Sequence, residues 1–246
     1  MRRVAAVERA VAVLEALADG ELGTNEIARR AGLNASTASR QLATLVAGGL
    51  VEHVAETGRY RLGLRLVELG TAALGRLDLR ELARPHLQAL VDATGETATL
   101  SVPGDRDAVT VDFVQSPQSV RSVAQLGRQS IGHATAAGKV RLAFGGGRSP
   151  AGADLHRFTE RTIVDPRALD GELARIRERG IAEAVGEREP GLSAIAAPVF
   201  ERGGGLVAIL GVQGPSERFQ GQVLEAAVEP LRERAKALSR SLGATS

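Results

Sequence analysis

Val4, Val7, Val11, Leu14 and Ala18 are spaced by 3, 4, 3 and 4 residues, the interval of one helix face. Gly20 and Gly23 close that helix. Thr24 then reads as the N-cap of a short helix running through Ala31, with Ile27, Ala28 and Ala31 turned inward. Gly32, lacking a Cβ, permits the left-handed turn that stops it. Asn34 caps a third helix from Ala35 to about Ala47, whose buried stripe would be Ala38, Leu42, Leu45 and Val46. Two helices joined by a tight glycine turn form a helix-turn-helix. Leu50 to Val54 and Arg59 to Leu62 are strand-like, and Glu56-Thr57-Gly58 joins them into a hairpin, the wing of a winged helix.

Leu62, Leu66, Leu69 and Ala73 share one face and predict a linker helix between Gly63 and Gly75. The helix after it contains Pro85, whose missing donor predicts a kink or a fresh start. Thr97 to Val102 and Val109 to Val114 alternate polar and apolar, giving two strands turned by Pro103-Gly104-Asp105. Ser193 to Phe200 and Leu206 to Val212 give two more around Gly203-Gly204-Gly205. The run Leu206 to Leu210 has no polar face and predicts a central strand. Helices are expected at about 136–143, 168–179 and 222–242; in the last, Leu224, Val228, Leu231, Ala235, Leu238 and Leu242 keep a 4, 3, 4, 3, 4 spacing that Pro230 should interrupt or kink. The fold class is α/β multi-domain of α+β type: a winged helix-turn-helix over 1–62, a linker helix over 63–76 and a sheet domain over 77–246.

Composition narrows the function classes. At 246 residues the chain has room for about 1.6 domains, and 43% hydrophobic with 24% charged residues excludes a disordered chain. No run of apolar residues is long enough to span a membrane. Cysteine is absent, excluding disulfides, thiolate metal sites and a Cys nucleophile. Met1-Arg2-Arg3-Val4 leads directly into an amphipathic pattern and does not read as a secretion signal, so a cytoplasmic location is expected. Net charge is only +2, and Lys139 and Lys236 are the two lysines among 31 basic residues. Distribution matters more than the total. No acid occurs from Ile27 to Val51, where Arg29, Arg30 and Arg40 lie, nor from Phe113 to Ala153, where Arg121, Arg128, Lys139, Arg141 and Arg148 lie.

The first gap covers the start of the third helix, Ala35-Ser36-Thr37-Ala38-Ser39-Arg40-Gln41. Arg pairs with guanine edges, Gln with adenine, and hydroxyls with phosphate or base, so this edge suits a major groove. Arg59 and Arg61 on the wing are placed to touch flanking backbone. The expected DNA-binding set is Thr24, Asn34, Ser36, Thr37, Ser39, Arg40, Gln41, Arg59 and Arg61. A protein-contact or dimerisation module is the competing reading, since residues 1–62 carry eight Arg against seven acids. Selecting a site would require two copies.

Catalytic signals are missing. Gly132 to Lys139 resembles a phosphate-binding loop but has five residues between its glycines and Val140 in place of the Mg²⁺-binding hydroxyl. His53, His86, His133 and His156 are scattered, without metal spacing; His133 alone is placed near a pocket, as a structural hydrogen-bonding residue or as a ligand or base. No catalytic residue, metal or cofactor is expected. A helix beginning near Thr135 would instead point free N–H groups at an anion, with Lys139, Arg121 and Arg128 in the same acid-free segment. The alternative for Lys139 is a cap or ion pair on the domain surface.

Glu26-Ile27-Ala28-x-x-x-Gly32-Leu33-x-x-Ser36-Thr37-x-x-Arg40-x-Leu42-x-x-Leu45 resembles the DNA-binding half of IclR-type bacterial transcription regulators. Tyr60-Arg61-Leu62-Gly63, Leu79 to Pro85 with Leu87, Thr94-Gly95-Glu96-Thr97, Ser116-Pro117 with Arg121, Thr135-Ala136-x-Gly138-Lys139, Phe158-Thr159-x-x-Thr162-Ile163, Pro190-Gly191, Ile195 to Phe200 and Gly214-Pro215-x-x-Arg218 follow in family order. The resemblance implies a homodimer or dimer of dimers, a double-stranded DNA operator, and a GAF-like domain whose small-molecule effector controls operator affinity, a repressor being the expected sign. It places that effector at Arg121, Ser122, Ser130, Ala136, Ala137, Ala184, Leu192, Ala194, Gly211 and Gln213. Regulators of small organic acids hold Asp, Cys and Ser where this chain has Ala184, Ala194, Gly211 and Gln213. The smaller residues predict an enlarged cavity and a bulkier or less charged metabolite than glyoxylate or pyruvate. An enzyme, or a small-molecule-binding interaction protein in which the N-terminal module only dimerises, is the rival reading.

Overall fold

The computed structural model describes residues 4–74, 79–105, 107–146 and 155–244. The chain divides into two compact units, Met1–Asp78 and Leu79–Ser246.

The first unit contains α1 (Ala5–Ala16), α2 (Thr24–Arg30), α3 (Ala35–Ala47), the hairpin β1 (Val51–Val54) and β2 (Arg59–Leu62), and α4 (Arg65–Leu74). Its core gathers Val13, Leu17, Ile27, Leu42, Leu45 and Val51; each such buried side chain contributes roughly 1.5–3 kcal/mol of transfer free energy. Asn34 caps α3 as expected, its Oδ1 accepting from the Thr37 N–H at 2.8 Å. Gly32 adopts φ +65° in the turn between α2 and α3. The hairpin pairs Val51 with Leu62 and Val54 with Arg59, and Tyr60 bridges back to Leu22. The wing is thereby tied to the segment before α2.

Three sequence expectations change here. Thr24 is the first helical residue, not the cap; Gly23 holds the cap position without a side-chain bond. Val46 is 36% exposed, because α3 buries only Ala38, Leu42 and Leu45. On α1 the inward face is Val13 and Ala16, continued by Leu17, while Val4, Val7 and Val11 are exposed. The helix thus has two apolar faces; of the stripe marked by spacing, Leu14 packs against the core while Val4, Val7 and Val11 do not. Residues 75 and 76 of the expected linker helix, and Arg148 of the second acid-free stretch, lie outside the described residues.

The second unit contains α5 (Leu79–Thr94), β3 (Thr97–Pro103), β4 (Ala108–Val114), β5 (Gln129–Ser130), α6 (Ala136–Phe144), α7 (Pro166–Arg179), β6 (Ala182–Val185), β7 (Leu192–Phe200), β8 (Leu206–Pro215) and α8 (Gly221–Ser241). Its strands form one antiparallel sheet in the order β5-β4-β3-β8-β7-β6. The apolar run at 206–210 therefore does lie in a central strand. Alternation along β7 divides the layers: Ala196 joins the core formed by α6 and α7, whereas the neighbouring Ile195 and Ala197 are buried on the other side. There α5 and α8 pack together and cover the sheet. α7 has both of its ends written in sequence. Asp165 accepts from Arg167 N and Ala168 N, Pro166 opens the helix, and Gly180 ends it at φ +69°.

Pro85 and Pro230 sit inside α5 and α8 without interrupting either helix. Pro85 is exposed and Pro230 half-buried, so water can satisfy the carbonyl each would otherwise have bonded. The strands β5 and β6, of two and four residues, are too short for a period-2 pattern to be recognised in the sequence.

Candidate functional site

α3 offers its outer edge to solvent. Ser36, Ser39 and Arg40 are exposed and Thr37 and Gln41 half-buried, while Ala38 and Leu42 behind them are fully buried. The Arg40 guanidinium makes no hydrogen bond or ion pair among the described residues. The edge is acid-free and continues through exposed Ala43 and Thr44. Its geometry is that of a rigid helix presenting short polar groups and one free cation.

The wing is less free than expected. Arg61 Nε donates to Glu52 Oε2 at 2.9 Å and its Nη1 lies 3.5 Å from Glu21 Oε1. That hydrogen bond, and then the charge behind it, hold the Glu52 carboxyl below the usual carboxylate range. Arg59 Nη1 donates to the Glu21 carbonyl at 3.2 Å. Both arginines are thus tied within the unit, and a phosphate must compete for Arg61. Thr24 is half-buried at the start of α2, and Asn34 spends its side-chain oxygen on the cap.

In the second unit a cavity of about 70 Å³ lies between the sheet and the start of α6. Two rows of register partners, small apart from Gln213, pave it. Ala184, Ala194 and Gln213 are register partners across β6, β7 and β8, and Ala196, Gly211 and Thr99 form the next row through β3. Ser130, Ala136, Ala137 and Leu192 also line it. The N–H groups of Ala136 and Ala137 have no hydrogen-bond partner among the described residues, because Thr135 Oγ1 caps only Gly138 N. Both residues line the cavity.

Arg121 and Ser122 are not in the lining. Arg121 is exposed and donates to the Gln118 carbonyl at 3.1 Å. Ser122 sits one bond behind, accepting from Gln213 Nε2 at 2.7 Å. The expected enlargement is not seen. A Cβ at Gly211 would lie 2.7 Å from Thr99 Oγ1, so the threonine hydroxyl already fills the space that glycine vacates.

Lys139 is neither a surface cap nor an anion ligand. With 1% of its side chain exposed, its Nζ donates to the Glu183 carbonyl at 2.8 Å and to Glu187 Oε1 at 2.6 Å. Burial pushes the Glu187 carboxyl up from its ordinary value, against the pull of Lys139, and its Oε2 has no hydrogen-bond partner among the described residues. Gly138 has a packing role too: a Cβ there would lie 2.1 Å from the Ile131 carbonyl oxygen. The string resembling a phosphate loop is accounted for by packing and by the buried Lys139, which pairs with Glu187 and lies 3.9 Å from Glu172 Oε1. His133 is likewise structural, its Nε2 2.9 Å from the His156 carbonyl and its ring near Phe158, outside the lining.

Sequence reasoning missed Thr99, Glu187 and Arg188. Arg188 lines the cavity, donates to the Gln129 carbonyl at 2.6 Å and lies 6.0 Å above the Phe158 ring. Burial, then the nearby Arg128 charge, lower its pKa; Arg128 itself is paired with Glu189. The loop carrying these groups is clamped by Thr159 Oγ1 to the Gly186 carbonyl at 2.7 Å and by Thr162 Oγ1 to the Glu187 carbonyl at 2.6 Å. Thr99 was findable from its alternation with Ser101; the Glu-Arg-Glu run was not, because β6 before it had gone unread.

Other motif residues fasten loops to the sheet. Arg218 forks onto the buried Glu96, with Nη2 to Oε2 at 2.9 Å, and donates to the Val120 carbonyl at 2.7 Å. The Ser116 hydroxyl donates to the Gly95 carbonyl at 2.6 Å. No helix among the described residues is long and apolar enough to cross a membrane, and none of their His, Asp and Glu residues cluster as a metal site.

Comparison with known proteins bears on these features. Residues 6–55 match the model of the IclR helix-turn-helix domain, and residues 71–240 that of the bacterial transcriptional regulator IclR C-terminal domain. The chain is 36% identical over 249 residues to the glycerol operon regulatory protein of Streptomyces coelicolor, covering 99% of this chain and 98% of that one. It is 34% identical over 245 residues to the transcriptional regulator KdgR of Escherichia coli, covering 98% and 93%. An IclR homologue of Microbacterium hydrocarbonoxydans, crystallised with 4-hydroxybenzoate, superposes with a TM-score of 0.81 at 30% identity, over 98% of this chain and 100% of that one. With a winged helix-turn-helix and an α+β sheet unit holding a small-molecule-sized cavity, the chain belongs to the IclR family of bacterial transcriptional regulators.

Proposed function

We propose that the protein reads operator DNA as a homodimer through Ser36, Thr37, Ser39, Arg40 and Gln41, with Arg59, Arg61, Thr24 and Asn34 at the flanks, and that a small anion in the sheet-unit cavity controls that affinity. It acts in the cytoplasm and is not an enzyme. The observation that carries the reading is the free, acid-free outer edge of α3 standing on a fully buried inner face. A groove-reading helix needs both: unpartnered polar groups outside and a rigid backing.

Pairing of two copies is supported by apolar surface in the first unit. Val4, Val7 and Val11 on α1 are 62%, 60% and 47% exposed, and Leu64, Val67 and Leu69 at α4 are 79%, 64% and 47% exposed. Stripes of this kind are costly to leave in water and match a helical dimer seam.

For the effector, the cavity's size favours a carboxylate of a few heavy atoms over a bulky metabolite. Arg188 and Arg128 repel each other there, a repulsion that Glu189 and Asp107 offset only in part, and the free N–H groups at the start of α6 add positive potential. An anion relieves both. If it prefers one arrangement of the two DNA-reading modules, operator and ligand must shift each other's affinity by the same factor. The test is a thermal-shift panel of short carboxylates on the full chain, followed by operator titrations with and without the best of them. Stabilisation by a small acid, together with an operator affinity that it changes, supports the reading. Stabilisation only by large neutral compounds contradicts the anion assignment.

A further inference from the structure

A second, larger concavity sits in the sheet unit and shares no lining residue with the effector cavity. This groove of about 870 Å³ runs between the end of α7, the end of β7 with the turn after it, and the C-terminal half of α8. Six of its 17 lining residues are cationic, Arg177, Arg179, Arg202, Arg232, Lys236 and Arg240, against the two acids Glu178 and Glu201. The whole chain has 31 Lys and Arg in 246 residues, so the groove is enriched well beyond its share.

Three of the six cations are spoken for. Arg177 donates to the Ala143 carbonyl at 2.9 Å, Arg179 pairs with Glu183 at 3.3 Å, and Arg232 pairs with Glu229. The side chains of Arg202, Lys236 and Arg240 make no hydrogen bond or ion pair among the described residues. Lys236 is also the one lysine besides the buried Lys139. Deeper in, the rings of Phe144 and Phe200 meet edge-on at 5.5 Å, and Pro198 and Ala197 extend this apolar floor. The groove therefore combines an apolar, partly aromatic floor with a rim of three unpaired cations, which outnumber the two carboxylates Glu178 and Glu201, likewise unpaired among the described residues. That is the architecture of a site for an anion with a flat apolar body. Such a volume is drug-sized, far above what an inorganic ion requires.

We propose that this groove binds a nucleoside di- or triphosphate, with the base over Pro198 and Phe200 and the phosphates on Arg202, Lys236 and Arg240. Arg forks and a Lys point charge together suit a phosphate chain. The placement also offers a route to the effector cavity. α6 begins at the cavity with Ala136 and Ala137 and ends at the groove with Phe144, about 12 Å along its axis from Ala136. β7 likewise runs from Leu192 and Ala194 in the cavity to Pro198 and Phe200 in the groove.

The experiment is calorimetric titration of the full chain at fixed ionic strength with ADP, inorganic pyrophosphate and adenosine. It is repeated on Lys236→Gln combined with Arg202→Gln, two exposed positions without a side-chain partner among the described residues, whose replacement should leave the Tm unchanged. The expected result is saturable ADP binding, tighter than that of either fragment, and weakened roughly tenfold or more in the double variant. No saturable ADP binding, pyrophosphate as tight as ADP, or an unaltered affinity in the variant would each overturn the proposal. So would a change in the variant's oligomeric mass, which would assign the groove to a second copy. None of these outcomes depends on whether α3 binds DNA.

Discussion

Lys139 reaches Glu187 with almost none of its side chain exposed, and that pair fixes the loop carrying Arg188 beside the cavity. Removing one partner of such a pair leaves a buried charge uncompensated, so Lys139→Ala should destabilise the protein by roughly 3–5 kcal/mol in denaturant unfolding. The loss is pH-dependent. The folded-state pKa of Glu187 is raised above 4.5, chiefly by burial, so the folded chain holds that proton more tightly than the unfolded chain. Stability linked to it is full below pH 4.5 and is lost as pH rises through the raised folded value. Without Lys139 that value rises further, and the variant's deficit should shrink on acidification. A deficit independent of pH would contradict this account of the pair. At this scale the sequence was a partial guide. Eight of the ten effector positions implied by resemblance line the cavity, since their side chains point off sheet strands or the start of a helix in fixed alternation. Arg121 and Ser122 do not, because they sit on a loop whose path no periodicity encodes.

Capping chemistry made some element ends legible, although α1, α2 and α8 have no side-chain cap and were legible from periodicity. Asn34 before α3 announces the recognition helix by a mechanism that the structure reproduces. Asn34→Ala should cost about 1 kcal/mol of stability in the first unit and weaken DNA binding, read by thermal melting and by a binding titration. If instead stability is untouched and affinity falls, Asn34 contacts DNA directly. The third-helix stripe, the hairpin and the central strand were readable because each has one wet face and one dry face, or no wet face at all. The α1 stripe misled for the same reason in reverse. A valine row meant for another surface carries the same period as one meant for the core. Strands of two and four residues, β5 and β6, are too short for alternation to register.

At the scale of the whole molecule the proposed function requires what neither residues nor elements specify: two copies and a coupling between sites. Val7→Asp combined with Val67→Asp should shift sedimentation to a monomer and weaken operator binding by well over tenfold, because two charges at a helical seam cannot be buried together. A dimer that survives both changes would move the interface elsewhere. The claim on which the rest stands is that α3 enters the groove. It is tested most directly by titrating the protein onto a labelled duplex from the DNA upstream of its own gene, with an unrelated duplex as competitor and at two salt concentrations. The wild type should bind its own duplex selectively, with affinity falling as salt rises, and Arg40→Ala should lose roughly 1–3 kcal/mol of that selective binding. Equal affinity for both duplexes, or an Arg40→Ala curve that overlays the wild type, would contradict it.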